Sequence, residues 1–208
     1  MMRFEYGNPE STNVLIQMVD DHDLSVIENE VRAITEEVGD CFRLVALKVC
    51  DWNQDLSPWN APAVFGNEAF GEGAGETLKR VLAEINDPEK RYYIGGYSLA
   101  GLFALWAAHQ TDKFEGVAAA SPSIWFPGFL DYMNENRVLT NSVYLSLGDK
   151  EEKTKNPVLS TVGNKIRKAH ELLKAQGKST ILEWNPGNHF KDADIRTARG
   201  FAWVLKHS

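Results

Sequence analysis

Cysteine is scarce. Cys41 and Cys50 are the only two among 208 residues, which excludes a disulfide framework and leads us to expect reduced, partly buried thiols in a reducing compartment. No apolar run approaches the ~20 residues of a membrane helix, so no membrane partner is expected. The opening MMRFEYGNPEST has no apolar core behind a basic end, so no secretory leader is expected and the cytoplasm is the expected location. Positive charge is in deficit, 22 Lys and Arg against 29 Asp and Glu, for a formal charge of −7. A phosphate backbone is repelled by that balance, and no basic stripe offsets it, so nucleic acid is not an expected partner either. Internal repeats and low-complexity tracts are missing as well. What is present is an ordinary globular mixture, 43% apolar and 25% charged, of a length that suits one domain over residues 1–208.

Short apolar runs alternate with helical patterns. Val14–Val19 reads as a strand, followed by Val26, Ile27, Val31, Ile34 and Val38 at helical spacing, with Ser25 and Glu28 placed to form a capping box. Residues 42–49 read as a second strand. Residues 51–75 contain Trp52, Trp59, two prolines and four glycines and have neither period, so we expect a loop that covers a functional site. Beyond it lie a helix around Leu78–Ile85, a strand at Tyr92–Gly95, a buried helix at Leu99–Ala108, and strands at Gly116–Ala120 and Ser142–Leu147. A helix with Pro157 in its first turn, a strand at Thr180–Trp184 and a closing helix complete the chain. Six strands alternating with helices, several of them apolar on both faces, predict an α/β fold with a mostly parallel sheet covered on both sides. The site is then expected at the carboxyl ends of the strands.

The third of these strands runs into Gly95-Gly96-Tyr97-Ser98-Leu99-Ala100-Gly101. A serine nucleophile on a sharp strand-to-helix turn needs small residues two before and two after it, which Gly96 and Ala100 supply. Such a turn exposes the Ser98 hydroxyl at a helix N-terminus, where the Leu99 amide can donate to a developing oxyanion. The bland alternative is a glycine-rich turn with a capping serine, and the strand before and helix after weigh against it.

A serine hydroxyl needs a general base. Of five histidines, His109 and His170 fall within helices and His207 adjoins the last residue, so surface or packing roles are expected there. His22 follows the first strand read here and is a candidate pocket residue. His189 sits between the last strand and the last helix, 91 residues after Ser98 (189 − 98), and is the expected base. The orienting carboxylate is expected in Gly148–Lys153, from Glu151, Asp149 or Glu152 in that order of preference, the remaining acids facing water. Order in the chain, Ser then acid then His, is that of α/β-hydrolases. Asp20-Asp21-His22-Asp23 also has metal-ligand chemistry, but four consecutive residues cannot readily converge on one ion, so neither metal nor cofactor is expected. Cys50 reads as a small buried residue rather than a second nucleophile.

On these motifs the chain resembles α/β-hydrolases of the esterase type related to enterochelin esterase and esterase D. The motifs are Gly96–Gly101, the glycine-x-x-acid at Gly148–Glu151, Gly187-Asn188-His189-Phe190, and Ser121-Pro122-Ser123-Ile124-Trp125-Phe126. The resemblance spans nearly the whole chain, with the family's first strands missing, and the glycine-x-x-acid spacing is what ranks Glu151 above Asp149. It implies a second oxyanion donor, the backbone N–H of Asp20 or Asp21, and a substrate pocket bordered by Ser121–Phe126. Trp52, Trp59, Trp125 and Phe126 are the aromatic residues expected to wall that pocket. The activity implied is cleavage of a small-molecule carboxylic ester. A thioesterase or small-peptide hydrolase with the same machinery, and a non-catalytic binding module on the same fold, are the alternatives.

Overall fold

The computed structural model describes residues 1–208. The chain runs β1 (Met2–Gly7), β2 (Asn13–Val19), α1 (Asp21–Val38), β3 (Arg43–Lys48), α2 (Trp52–Leu56), α3 (Ala74–Glu84), β4 (Arg91–Tyr97) and α4 (Ser98–Gln110). It continues with β5 (Phe114–Ala120), α5 (Phe129–Glu135), β6 (Ser142–Gly148), α6 (Val162–Ala175), β7 (Ser179–Asn185) and α7 (Ala193–His207). The seven strands form one sheet in the order β1-β3-β2-β4-β5-β6-β7. Every neighbouring pair is parallel except β1 with β3.

Because side chains alternate along a strand, each central strand feeds two cores. Val14, Ile16 and Met18 join Ile94, Val117 and Val143 beneath α3, α4 and α6. Leu15, Val19, Ala46, Tyr93 and Tyr144 face the other way, onto Ile27 and Ile34 of α1 and Phe201 and Val204 of α7. Helix α4 is buried from Leu99 to His109, which is why its sequence is apolar on all sides and shows no stripe.

Four local readings differ from expectation. There is one strand more than the six read: β1 pairs antiparallel on the sheet edge, with Arg3 and Glu5 alternating with Met2, Phe4 and Tyr6. Charged side chains on such an edge discourage pairing with another chain. Helix α1 starts earlier than Ser25; its capping box is Asp20 with Asp23, each side chain bonding the other's backbone N–H. Pro157 precedes a 3-10 turn at Leu159–Thr161 rather than opening α6, because the Asn156 carboxamide oxygen accepts from the amides of Val158 and Leu159 and holds a turn there. Cys41 and Cys50 are free but exposed, since both lie in loops beyond strand or helix ends.

The parallel arrangement brings the carboxyl ends of β4, β5, β6 and β7 side by side. Ser98, Ser121, Glu151 and His189 lie in or just past those ends.

Candidate active site

Ser98 is the first residue of α4, and its φ is +57°. That left-handed conformation costs a non-glycine residue roughly 1–2 kcal/mol. The crowding that maintains it is local. A Cβ on Gly96 would stand 2.7 Å from the Ala100 Cβ, and one on Gly101 would stand 2.9 Å from the Gly96 carbonyl oxygen. Small residues at 96, 100 and 101 are thus what let strand and helix close on one another.

The Ser98 Oγ lies 3.0 Å from His189 Nε2, and His189 Nδ1 lies 2.7 Å from Glu151 Oε2. The other Glu151 oxygen, Oε1, accepts from the Gly148 amide at 2.7 Å, the Ser121 hydroxyl at 2.8 Å and Arg196 Nη1 at 3.1 Å. Burial opposes the Glu151 charge, but the bond and charge of His189, with the bonds from Gly148 and Ser121, outweigh it and hold the carboxyl below the usual range. Side-chain exposure is 4% for Glu151 and 2% for Arg196, so this ion pair is shielded from water.

Arg196 is a functional candidate that sequence reading missed. Its Nη1 also donates to the Tyr97 hydroxyl at 2.9 Å, and its Nη2 to the Pro186 carbonyl at 3.2 Å. The Tyr97 hydroxyl in turn donates to the His189 carbonyl at 2.8 Å. Burial foremost, with the Glu151 charge, pushes the Tyr97 phenol up to about 12, so it remains a donor. Three non-glycine residues have positive φ: Ser98, Ser121 at +40° and Asp192 at +54°. The second presents its hydroxyl to Glu151, and the third is the N-cap of α7, which carries Arg196. Two of these three strained positions thus present hydroxyls within the site.

The remaining candidates are dispersed. Asp149 does not reach His189; it is exposed, and its Oδ1 accepts from the Gly187 amide at 2.8 Å, tying the histidine loop to the acid loop. Glu152 pairs with Arg167. The Asp20 amide is spent on the Asp23 carboxylate at 3.2 Å and so is withdrawn from oxyanion binding. Asp21 and Leu99 stand in the first turns of α1 and α4, where backbone N–H groups have no intrahelical acceptor. His22 is exposed in the first turn of α1 and does not line the cavity at Ser98. No three His, Cys, Asp or Glu side chains are grouped to hold a metal ion.

A cavity of about 390 Å³ opens over Ser98 and His189, walled by Phe65, Trp125, Leu159, Val162 and Phe190, with no lysine or arginine in the lining. Of residues 51–75, expected to be an irregular covering loop, Trp52–Leu56 form α2 and Ala74 opens α3, and Phe65 is the residue that lines the cavity. Trp59 donates to the Pro127 carbonyl at 2.9 Å and packs on Phe126, Phe129 and Tyr132, while Phe65 meets Trp125 edge-on at 5.8 Å. Trp52 lies elsewhere, in a separate groove with Asp21 and Lys48, because α2 begins at that residue and turns it towards β3. Phe126 is buried behind the wall against Phe70. Phe65 and Phe190 were not anticipated as pocket residues; an aromatic within an irregular segment and one beside the expected base are the signals that could have found them.

No family model and no curated protein matches the sequence. Solved structures do match. An IroE-like serine hydrolase from Shewanella oneidensis superposes with a TM-score of 0.75 at 15% identity, covering 98% of this chain and 75% of the other. Siderophore hydrolase EstA from Aspergillus nidulans gives 0.70 at 18% identity, covering 97% and 86%. The enterobactin esterase FES from Shigella flexneri gives 0.65 at 14% identity, covering 98% of this chain and 55% of the other. The chain has the α/β-hydrolase fold, in a minimal form.

Proposed function

We propose that this protein is a serine esterase that cleaves carboxylic esters through an acyl-enzyme. The observation that carries the reading is the unbroken relay from Ser98 Oγ to His189 to Glu151, at 3.0 and 2.7 Å. His189 takes the proton as Ser98 attacks the ester carbonyl, and returns it to the departing alcohol. Water then repeats the sequence on the acyl group. The Leu99 amide, with that of Asp21 as partner, binds the oxyanion; one such donor is worth roughly two to three decades in kcat. Glu151 keeps the imidazole in the tautomer that presents Nε2 to Ser98. A neutral ester is the favoured small-molecule substrate, because the cavity lining has no basic side chain to receive a carboxylate. The esterase and serine-hydrolase descriptions of the matched structures support the same activity.

A pure binding role is disfavoured by the positive φ at Ser98, since a ligand-binding serine gains nothing from that strain. A cytoplasmic site of action belongs to the same proposal, supported by two unpaired, exposed thiols. No helix is long and apolar enough to cross a membrane.

The test is labelling with a fluorophosphonate followed by peptide mapping, alongside hydrolysis of p-nitrophenyl acetate. Ser98 should be the labelled residue, and Ser98→Ala should lose label and roughly six decades of kcat. A variant that kept a tenth of wild-type turnover would rule out Ser98 as nucleophile.

A further inference from the structure

Phe190 is the most exposed large apolar residue in the molecule, at 89%, and it follows the catalytic-base candidate directly. Its exposure is imposed by a fixed main chain. The Phe190 amide donates to the Asn188 carboxamide oxygen at 3.0 Å, the His189 carbonyl is held by the Tyr97 hydroxyl at 2.8 Å, and the Asn188 carbonyl accepts from Lys191 at 3.3 Å. The ring stands edge-on to the His189 imidazole, centroids 5.6 Å apart, and lines the cavity that contains Ser98. Phe65 and Trp125 form a second aromatic group in the same cavity, packed on one another and on Phe70.

The chemistry assigns these two groups to different parts of an ester. A leaving oxygen must come within about 3 Å of the base that protonates it, so the alcohol half passes His189 and meets the neighbouring ring. The half that stays bonded to Ser98 has the Phe65 and Trp125 wall. We propose that Phe190 is the contact for the departing alcohol, and that the preferred substrates are esters of uncharged aryl or arylalkyl alcohols. This rests on Ser98 and His189 acting as nucleophile and base. An uncharged aromatic group suits the site because the lining has no cation to hold an anionic one, and because a substrate ring would cover the Phe190 face that the protein leaves in water.

The test compares two phosphonates with the same alkyl group, one losing fluoride and one losing 4-nitrophenoxide. In both, the Ser98 Oγ–phosphorus bond forms while the bond to the leaving group breaks and that group departs with the electron pair. Phe190→Ala should slow labelling by the nitrophenoxide probe about tenfold, leave the fluoride probe within about twofold, and leave the melting temperature unchanged. Phe190→Trp should retain the nitrophenoxide rate. Equal slowing with both probes, or none with either, would overturn the assignment of Phe190. If neither probe labelled wild-type Ser98, the nucleophile itself would be wrong and the Phe190 proposal would fall with it.

Discussion

Arg196 Nη1 lies 3.1 Å from Glu151 Oε1, the carboxylate oxygen that His189 does not use. One guanidinium thereby joins the acid, the Tyr97 hydroxyl that holds the His189 backbone, and the Pro186 carbonyl at the start of the histidine loop. Acid and base loops are locked from below by one residue of α7. Arg196→Met should lower kcat by about a hundredfold through misplacement of the relay. It should also cost about 1–3 kcal/mol of stability, because the Glu151 carboxylate, the Tyr97 hydroxyl and the Pro186 carbonyl each lose a buried donor while Glu151 keeps its bonds to His189, Gly148 and Ser121. Arg196→Lys keeps the charge but not the fork, so part of the stability should return and less of the activity. Turnover and thermal melts on both variants check this.

The acids separate by the same logic. Glu151→Gln should cost about four decades in kcat, because a neutral amide cannot stabilise the imidazolium and favours the wrong tautomer. Asp149→Asn should be mild, since only its bond to the Gly187 amide is altered. Steady-state kinetics on the pair decide it, and a reversed ranking would make Asp149 the orienting acid.

A buried carboxyl away from the site predicts a pH effect on stability. Glu30 is enclosed between α1 and β2, its Oε2 accepts from Gln17 Nε2 at 3.2 Å, and an oxygen on each of the two side chains has no partner. Burial, reinforced by the charges of Asp23 and Asp194, raises its carboxyl well above the usual range. Folding therefore favours the protonated form. The stability it contributes is full below the unfolded-state value near 4.5 and is lost as pH rises towards the raised folded-state value. Glu30→Gln can pair amide to amide with Gln17. It should gain about 1–3 kcal/mol at pH 8 and little at pH 4, flattening the stability profile in chemical denaturation. An equal gain at both pH values would show that Glu30 is not held protonated.

The cavity wall predicts acyl selectivity. Trp125→Ala and Phe65→Ala should raise KM for p-nitrophenyl benzoate several-fold more than for the acetate, because only the larger acyl group reaches that wall. Trp52→Ala should leave both esters within about twofold, its ring lying in the separate groove. A Trp52 effect as large as that of Trp125 would mean that the groove takes part in substrate binding.

Much of the fold was legible because its signals are local. Short apolar runs marked β2 through β7, helical spacing marked α1, α3 and α6, and small residues around Ser98 marked the strand-to-helix turn. The alternation of Met2, Phe4 and Tyr6 was equally visible and pointed to β1, although six residues are a weak signal. His189 and the Gly148–Lys153 loop were legible by their order along the chain. Contacts between distant segments were not. Arg196 reads as one more charge on an amphipathic helix, and it becomes a buried partner of Glu151 only when α7 closes over the strand ends, 45 residues further along the chain. The choice among Asp149, Glu151 and Glu152 turned on which carboxylate the loop aims inward, where Gly148, Ser121 and Arg196 wait for it. Likewise Trp52 and Phe65 belong to one stretch that reads as irregular in the sequence, and nothing in their own residues says which ring faces Ser98. Propensity and period are properties of a few neighbouring residues, whereas the company a side chain keeps depends on packing across the whole sheet.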